Sequence, residues 1–600
     1  MNAALRQLDE AASAGKLSAG AVQNIRTWLT QKRYAAYAEQ IREHIAAGKW
    51  QELDDAFWTV IPFGTGGRRG RMYPIGCNAI NDRTIGESAQ GLADHVKEHC
   101  AGDGELSCGI AYDTRHKSRH FAELCAGIMV ASGFKVYFLD EYRSTPELSF
   151  LVRHKRCTCG IMVTASHNPP SDNAVKVYWS TGGQVLPPHD QGIIDRVMHV
   201  EEIQQAPFDD AVRQGRVVLC KDEIDAAFVA AVRAQRFEGP RNVRILYSPL
   251  HGVGASAVCP ALAADGFCDV EVFGPHAEPS GDFPNVPGHV SNPENPAVFD
   301  AVIERARQIG ADLVLATDPD GDRMGCAAPV TPDPRGPWKT LTGNQLGALL
   351  ADFVLQQRKK AGTLTAEHYV VKTLVTTELI RRIADAYGVV TRGNLHVGFK
   401  WIGGMIDEAG PDKFLIGLEE SHGYLVGSYA RDKDGALACM LMAELAAALK
   451  AAGQSLHEKL DGLYRQHGYH AEGAVNMFME GSEGMSRMQA LMSRLRDQPP
   501  RSVGGMAVVA VRDYLGLVTA SASGQRLPLE APRGDMVILD LEEEGNYVAV
   551  RPSGTEPKVK FYLFTFVPAQ QLADLEAAKR RMGERLKRLE SDLRSFADSL

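Results

Sequence analysis

The chain has 600 residues, more than one hydrophobic core usually organises, so several domains are expected. Its 44% hydrophobic and 23% charged content is typical of a soluble globular protein. The formal net charge of −9 excludes an overall basic surface of the kind that binds nucleic acid or an anionic membrane. The 11 cysteines lack zinc-type spacing and are typical of reduced thiols. Together these features predict a cytoplasmic protein without nucleic-acid or membrane partners.

The predicted elements begin with helices. Residues 1–55 show helical spacing of apolar positions, for example at Ile25, Trp28 and Leu29, and we interpret them as a helical extension packed on the first domain. From residue 110 onward, short apolar runs such as 134–139 and 160–163 alternate with helical patterns such as 119–132. This alternation predicts α/β domains whose strands are joined by crossover helices.

The same pattern divides the rest of the chain into domains. We predict three consecutive α/β domains with mixed sheets, and then a C-terminal α+β domain, at residues 56–240 (domain I), 241–338 (domain II), 339–470 (domain III) and 471–600 (domain IV). In domain III the apolar stretch 437–452 contains Glu444 and Lys450, is too short to span a bilayer and predicts a buried amphipathic helix. Domain IV follows a Met- and Ser-rich separating stretch, residues 477–494, and ends in a charged helix at 570–600.

A serine follows a predicted buried strand in domain I. Residues 164–169, the serine loop, read Thr-Ala-Ser-His-Asn-Pro directly after the apolar run 160–163. The carboxyl end of a parallel strand faces the crevice where α/β proteins bind ligands. Ser166 needs a base or a cation beside it to act as a nucleophile, and His167 is adjacent. The same residue types also form ordinary turns, so the loop alone leaves both interpretations open.

Three aspartates alternate along residues 318–323, the aspartate loop, after a second apolar run. The carboxylates of Asp318, Asp320 and Asp322 repel one another unless a cation neutralises them, and oxygen ligands suit Mg²⁺. An EF-hand calcium loop is disfavoured because no glutamate stands at its twelfth position and a strand precedes it. A solvated acidic turn remains the other alternative.

Residues 419–421, the glutamate loop, lie between two predicted hydrophobic segments. Glu419 accepts hydrogen bonds and Ser421 both donates and accepts them, which suits the hydroxyls of a pyranose. A helix cap would explain the same residues.

Residues 551–555, the arginine loop, follow a predicted strand in domain IV. Arg551 supplies a guanidinium, Ser553 and Thr555 supply hydroxyls, and Gly554 exposes backbone N–H groups. Such a set binds a dianionic phosphate. A surface turn with incidental charge is the alternative.

These four loops, in this order, resemble those of the α-D-phosphohexomutases, the family of phosphoglucomutase and phosphomannomutase. Residues 172–176 resemble the family's Asn-Gly-x-Lys stretch, with Ala174 in place of the usual glycine. Residues 63–70 and 397–402 resemble its Gly-Thr-x-Gly-x-Arg and Gly-x-Lys segments. Two more segments, 247–254 and 468–470, are similar to the larger subgroup that includes α-phosphoglucomutases and phosphopentomutases.

The resemblance implies an intramolecular phosphotransferase whose domains surround a central active-site cleft. It implies a phosphoserine at Ser166 and catalytic roles for Ser166, His167, Lys400 and Arg69. The implied ligands of one Mg²⁺ are Ser166, Asp318, Asp320 and Asp322. The implied substrate-binding residues are Lys176, Arg323, Glu419, Ser421, Arg551, Ser553, Gly554 and Thr555.

The implied reaction interconverts glucose 1-phosphate and glucose 6-phosphate, with glucose 1,6-bisphosphate as intermediate and activator. Mannose and pentose phosphates are the nearest alternative substrates. A sugar-phosphate sensor without catalytic activity and a metal-dependent phosphatase are alternatives from other classes. A monomer or a homodimer is expected.

Overall fold

The computed structural model describes residues 2–64, 66–100, 104–479, 482–553 and 558–599. The N-terminal segment forms the helices Asn2–Ser13, Ala19–Thr30, Ala38–Ala46 and Trp50–Phe57 and the 3₁₀ helix Lys32–Tyr37. Their apolar side chains share one cluster with Ile75 and Cys77, and Arg33 donates to the Val200 carbonyl oxygen at 3.3 Å. The segment is helical and contacts the chain that follows it.

The first sheet has six strands and carries the serine loop. In chain order they are Gly67–Arg71, Ser107–Tyr112, Lys135–Phe138, Cys159–Val163, Asp172–Trp179 and Val217–Leu219. Their spatial order is first, fifth, fourth, second, third and sixth. The last four of this order are parallel to one another, and the fifth strand is antiparallel to both of its neighbours, the first and the fourth. The helices are Asp82–His99, Ser118–Ala131, Thr145–His154, His189–Met198, Phe208–Arg213 and Lys221–Arg233. The serine loop joins the antiparallel strands Cys159–Val163 and Asp172–Trp179.

The second sheet carries the aspartate loop. Its strands are Ile245–Ser248, Val270–Val272, Leu313–Thr317, Met324–Pro329 and Trp338–Leu341. The helical segments are Ala255–Asp265, Gly274–Ala277, Pro287–His289, Pro296–Phe299 and Asp300–Ile309. The aspartate loop connects the antiparallel neighbours Leu313–Thr317 and Met324–Pro329, and Gly321 takes a φ of +66° that its missing side chain permits.

The third sheet carries the glutamate loop. Its strands are Tyr369–Lys372, Val390–Arg392, Phe414–Glu419 and Gly423–Val426. The helical segments are Gly343–Lys360, Leu379–Ala386, Phe399–Ala409, Pro411–Lys413, Gly435–Ala451 and Leu456–His467.

The helix Gly435–Ala451 corrects one expectation. It is buried on all sides from Gly435 to Ala447, so the predicted amphipathic character is wrong although the predicted burial is confirmed. Glu444 does not mark a solvent face, because its carboxylate accepts from Arg241 at 2.6 Å inside the protein. Among the described residues, no single helix is long and apolar enough to cross a membrane. In the described ranges, one pair of helices, Gly435–Ala451 and Leu456–His467, is together long and apolar enough, but the two helices are bent by 89° relative to each other.

The fourth sheet is antiparallel. Its strands are Tyr469–Phe478, Ser502–Val503, Met506–Asp513, Val518–Ser521, Arg526–Pro528, Val537–Leu541, Tyr547–Pro552 and Lys558–Val567. The helical segments are Ser482–Asp497, Ala569–Gln571 and Leu575–Asp598.

The separating stretch predicted at residues 477–494 is wrong. It contains the end of the strand Tyr469–Phe478 and most of the helix Ser482–Asp497. Met488, Leu491 and Leu495 of this helix are buried in the core of the fourth sheet. These residues lie three to four positions apart, so the methionines serve as apolar core residues. The domain boundaries themselves stay a prediction.

Candidate active site

Ser166 lies where domains I and II meet. Its backbone has a φ of +52°, a left-handed conformation that is costly for a residue with a side chain, and its N–H donates to Thr164 Oγ1 at 2.8 Å. The Ser166 hydroxyl donates to Asp318 Oδ2 at 2.7 Å. His167 Nδ1 lies 3.2 Å from Ser166 Oγ. One buried hydroxyl therefore joins the serine loop to the aspartate loop.

Asp318, Asp320 and Asp322 form a buried cluster that fits a hard divalent cation. One oxygen atom of each lies within 4.8 Å of the others. In the part of the chain that the structure describes, Oδ1 of Asp320 and Oδ1 of Asp322 lack a hydrogen-bond partner. Buried acceptors without a partner are costly, and a cation bound by carboxylate oxygens removes that cost. The residues present therefore fit a divalent metal ion, and the solvated-turn alternative is wrong because the cluster is buried.

The groups around the cluster affect its three carboxylates differently. Burial and the neighbouring Asp320 and Asp322 raise the pKa of Asp318 well above its usual range. Burial acts in the same direction on Asp320, but it is outweighed by three effects together: Lys176, whose Nζ is 2.8 Å from Asp320 Oδ2, a hydrogen bond with Asp318, and the charge of Lys433; the pKa of Asp320 is therefore lowered. Lys433 lies 2.9 Å from Asp322. Two ammonium groups thus pair with two of the three carboxylates, and Arg323 Nε lies 3.9 Å from both Asp318 and Asp322.

His167 and Arg69 stand beside the serine loop. Burial, followed by the charges of Arg323 and Arg69, lowers the pKa of His167, so its ring is neutral near pH 7 and keeps a lone pair. Arg69 donates to Asn168 Oδ1 at 3.3 Å. His167 follows Ser166 in the chain, and Arg69 reaches the serine loop through Asn168.

Lys400 lies on the helix Phe399–Ala409, and its ammonium group is near the carboxylate of Asp190. Its Nζ is 3.8 Å from Asp190 Oδ2, and within the described ranges this buried ammonium lacks a hydrogen-bond partner. Burial lowers its pKa, although Asp190 acts in the opposite direction. The contact with Asp190 was not predicted from the sequence.

The glutamate loop connects two strands, so the helix-cap alternative is wrong. The Ser421 hydroxyl donates to Glu419 Oε1 at 2.9 Å. The His422 carbonyl oxygen accepts from the Met324 N–H at 3.1 Å, which connects this loop to the strand after the aspartate loop. Burial raises the pKa of Glu419, while Lys433 and Arg323 act against that rise. Arg323 pairs with Glu294. The loop is thus part of the same charged region as the aspartates.

The arginine loop is described only in part. Arg551 stands at the end of the strand Tyr547–Pro552, and the Ser553 N–H donates to the Lys558 carbonyl oxygen at 2.8 Å. Gly554 and Thr555 lie outside the described residues. Lys560, paired in register with Arg551, acts electrostatically on the glutamate loop: burial raises the pKa of Glu420 to about 7, and the Lys560 charge opposes this. Domain IV therefore brings positive charge to the glutamate loop.

Two buried residues that sequence reasoning missed hold the serine loop in place. Arg115 donates to four backbone carbonyls, those of Ser166, Asn168, Pro169 and Asp172. Asp113 lies 3.4 Å from the Arg115 guanidinium and accepts from Thr164 Oγ1 at 2.6 Å. Both residues follow the strand Ser107–Tyr112, which pairs in parallel with Cys159–Val163. The carboxyl ends of these two strands lie at the same edge of the sheet, and this position is the sequence feature that could have identified Asp113 and Arg115 as site residues.

Models of one protein family match three consecutive parts of the chain. They are described as phosphoglucomutase/phosphomannomutase alpha/beta/alpha domains I, II and III and match residues 61–204, 226–330 and 342–467. The chain belongs to the phosphoglucomutase/phosphomannomutase family. It is therefore an enzyme of the phosphohexomutase type, an intramolecular phosphotransferase.

Individual relatives of this phosphohexomutase carry different substrate names. The phosphoglucomutase of Staphylococcus saprophyticus is 30% identical over 541 residues, covering 88% of this chain and 95% of that protein. A Schizosaccharomyces pombe protein named "Probable phosphoribomutase" is 30% identical over 558 residues, covering 89% and 92%. A solved structure of pp63/parafusin from Paramecium, titled as a phosphoglucomutase in an open form, has a TM-score of 0.63 at 17% identity, covering 89% and 95%. At that identity the last likeness shows the fold alone.

Replacing Arg115 by lysine is expected to lower the mutase kcat by about 100-fold with little change in KM. Lysine keeps the charge but loses the planar fork that holds several carbonyls at once, and a misplacement of about 1 Å at a reacting group costs on that order. Steady-state kinetics with a sugar 1-phosphate measures the effect. Arg119→Lys is the matched control, because Arg119 is exposed and its Nε lies 2.8 Å from Glu123 Oε1, away from the serine loop. Equal kcat in both variants would show that Arg115 does not position the serine loop.

Proposed function

We propose that this phosphohexomutase is a phosphoglucomutase that interconverts glucose 1-phosphate and glucose 6-phosphate through phosphorylated Ser166. The observation that carries the proposal is the 2.7 Å contact between the Ser166 hydroxyl and Asp318, which combines a nucleophile with a cation site. Glucose is favoured because phosphoglucomutases of four Staphylococcus species are 30–32% identical to this chain over 85–88% of its length. Mannose and pentose phosphates, with the same mechanism, are the alternatives.

The metal in this proposal is Mg²⁺, held by Ser166, Asp318, Asp320 and Asp322. When bound, it supplies positive charge that draws electrons away from phosphorus. Lys176 and Lys433 orient two of the carboxylates through contacts of 2.8 and 2.9 Å. They also keep that part of the site from carrying excess negative charge when a phosphate enters.

The phosphoryl group is transferred in two steps. In the first, the bond between phosphorus and Ser166 Oγ breaks as a bond to the free sugar hydroxyl forms; the hydroxyl proton passes to a base and Ser166 Oγ takes up a proton. This gives glucose 1,6-bisphosphate. In the second step, after the bisphosphate has turned over, Ser166 Oγ bonds to its other phosphorus as the bond from that phosphorus to the sugar oxygen breaks, and the sugar oxygen takes up a proton from an acid. The Ser166 proton then has two acceptors within reach, Asp318 Oδ2 at 2.7 Å and His167 Nδ1 at 3.2 Å.

Other residues hold the sugar phosphate. Glu419 and Ser421 bind sugar hydroxyls, and Arg551, Ser553, Gly554 and Thr555 hold the phosphate that is not reacting. Arg323 and Arg69 neutralise charge on the transferring group. Lys400 is the proposed acid or base at the sugar oxygen, a role that suits a buried ammonium whose pKa is lowered by burial.

The sugar preference is tested by comparing kcat/KM for glucose 1-phosphate, mannose 1-phosphate and ribose 1-phosphate, each with Mg²⁺ and a trace of the matching bisphosphate. We expect glucose 1-phosphate to be favoured by about 10-fold or more, because a site that hydrogen-bonds one arrangement of hydroxyls leaves polar groups unpaired with another. An equal or higher value for mannose or ribose would assign the enzyme to that sugar instead.

We also propose that the enzyme acts in the cytoplasm as a monomer or a homodimer. The ten cysteines other than Cys100 are free thiols in described parts of the chain, which fits a reducing compartment. Its partners in this proposal are sugar phosphates alone.

A further inference from the structure

Three histidines meet where the end of the helix Asp82–His99 lies against the start of the helix His189–Met198. One ring nitrogen of each of His95, His99 and His189 lies within 4.8 Å of the others. His95 Nε2 is 3.1 Å from His189 Nδ1. Two nitrogens that each bind a tetrahedral Zn²⁺ at 2.0–2.1 Å are about 3.3 Å apart. The observed separation is that of a hydrogen bond between the two rings; it is also close to that of two ligands of one ion, which would replace this bond.

The hydrogen bond of His99 fixes which nitrogen is available. Its Nδ1 lies 2.9 Å from the His95 carbonyl oxygen. A carbonyl only accepts, so Nδ1 carries the hydrogen and Nε2 keeps its lone pair. A backbone carbonyl behind the second ring nitrogen is the usual support of a metal-binding histidine. His95 and His99 are also four residues apart on one helix, the spacing that places two histidines on the same face.

Packing holds the other two rings. His95 is buried, and a Cβ placed on Gly192 would be 2.4 Å from its Cε1, so a glycine is required for this close approach of the second helix. The Trp179 ring stacks on His189 with centroids 4.2 Å apart and planes 17° apart. Both rings are therefore fixed before any ligand binds, which reduces the entropy lost on binding.

The surroundings of His95 and His189 favour the neutral form of these two rings. Burial, with the charges of His99 and His189, lowers the pKa of His95 to about 4, and burial lowers that of His189. The other charged groups that act on them are Glu98 and Arg196, which pair with each other, and Asp190, which lies 3.8 Å from Lys400. Neutral imidazole is the form that binds metals.

We propose that His95, His99 and His189 bind one late first-row transition-metal ion, such as Zn²⁺, with a further coordination position open to water. Imidazole nitrogens select this class of ion, whereas the carboxylates of the aspartate loop select Mg²⁺. The chain would then hold two metal ions of different chemistry at separate places. This site does not depend on the proposed sugar preference or on the phosphoserine mechanism.

The test is a calorimetric titration of the full chain with Zn²⁺ in excess Mg²⁺, which occupies the oxygen site. The wild type is expected to bind one more equivalent of Zn²⁺ than His99→Gln, or to bind that equivalent with at least 10- to 100-fold higher affinity. Loss of an outer-shell partner of a metal ligand already lowers the affinity by that factor. His99 is exposed, so the substitution leaves the fold intact, and retained mutase activity verifies this.

His199→Gln is the matched control. His199 is exposed near the other end of the second helix, and its Nδ1 is 2.6 Å from the Asp195 carbonyl oxygen, four residues earlier, as in His99. This variant should bind Zn²⁺ like the wild type, and Co²⁺ should give a visible absorption band in both but not in His99→Gln. Equal Zn²⁺ binding by the wild type and His99→Gln, or the same Co²⁺ spectrum from both, would overturn the proposal.

Discussion

Replacing Ser166 by alanine is expected to lower mutase turnover by about 10⁴-fold or more, the scale seen when a covalent nucleophile is removed from an enzyme. The variant cannot carry the phosphoryl group between the two ends of the sugar. The remaining groups still bind the substrate, so KM should change much less than kcat. The measurement is the conversion of glucose 1-phosphate to glucose 6-phosphate with Mg²⁺ and a trace of glucose 1,6-bisphosphate.

Ser171→Ala is the matched control for this prediction. Ser171 is an exposed serine close to the serine loop, and its hydroxyl bonds to the carboxylate of Asp172 at 2.9 Å. Its loss should leave turnover within a small factor of the wild type. Undiminished turnover of Ser166→Ala would rule out the phosphoserine mechanism.

Replacing Asp318 by asparagine is expected to lower Mg²⁺-dependent turnover by about 10³-fold. A metal ion stabilises the charge of the transition state by several kcal/mol, and each 1.36 kcal/mol is a factor of ten. The variant should also lose the stabilisation that Mg²⁺ gives the wild type, which is about 2.7 kcal/mol at a concentration 100 times the Kd. Without metal, the variant should be the more stable protein, because one charge has left a buried cluster of three carboxylates. Thermal unfolding with Mg²⁺ and with a chelator measures both effects.

Asp333→Asn controls for the loss of a charge alone. Asp333 is exposed and accepts from the Arg335 N–H at 3.0 Å. This variant should show the wild-type shift of the melting temperature on adding Mg²⁺. The same shift in Asp318→Asn would mean that Asp318 is not a ligand.

The places of the functional loops at strand ends could be predicted because the buried strands are visible as apolar runs. Residues 160–163 and 313–316 are such runs, and the structure has the strands Cys159–Val163 and Leu313–Thr317 there. The contact between Ser166 and Asp318 could not be derived locally. The two residues are 152 positions apart, and their meeting depends on how domains I and II pack.

The misses also have physical causes. Arg115 acts through carbonyls of a loop more than 50 residues away, so the signal for it was its place after a strand that shares a carboxyl edge with Cys159–Val163, and not a motif of its own. The helix Gly435–Ala451 was expected to be amphipathic because Glu444 interrupts it, but an ion pair with Arg241 lets that carboxylate be buried. The Met- and Ser-rich composition of the helix Ser482–Asp497 predicts a connecting stretch. Met488 and Leu491 are instead apolar residues in the core of the fourth sheet.

The most direct test of the account is the mass of the intact protein after incubation with glucose 1,6-bisphosphate. We predict a gain of about 80 Da, one phosphoryl group, located on Ser166 by peptide mapping. Added glucose 1-phosphate should remove it, with glucose 1,6-bisphosphate as the product. A phosphoryl group on another residue, no gain in mass, or its loss as inorganic phosphate would contradict the account.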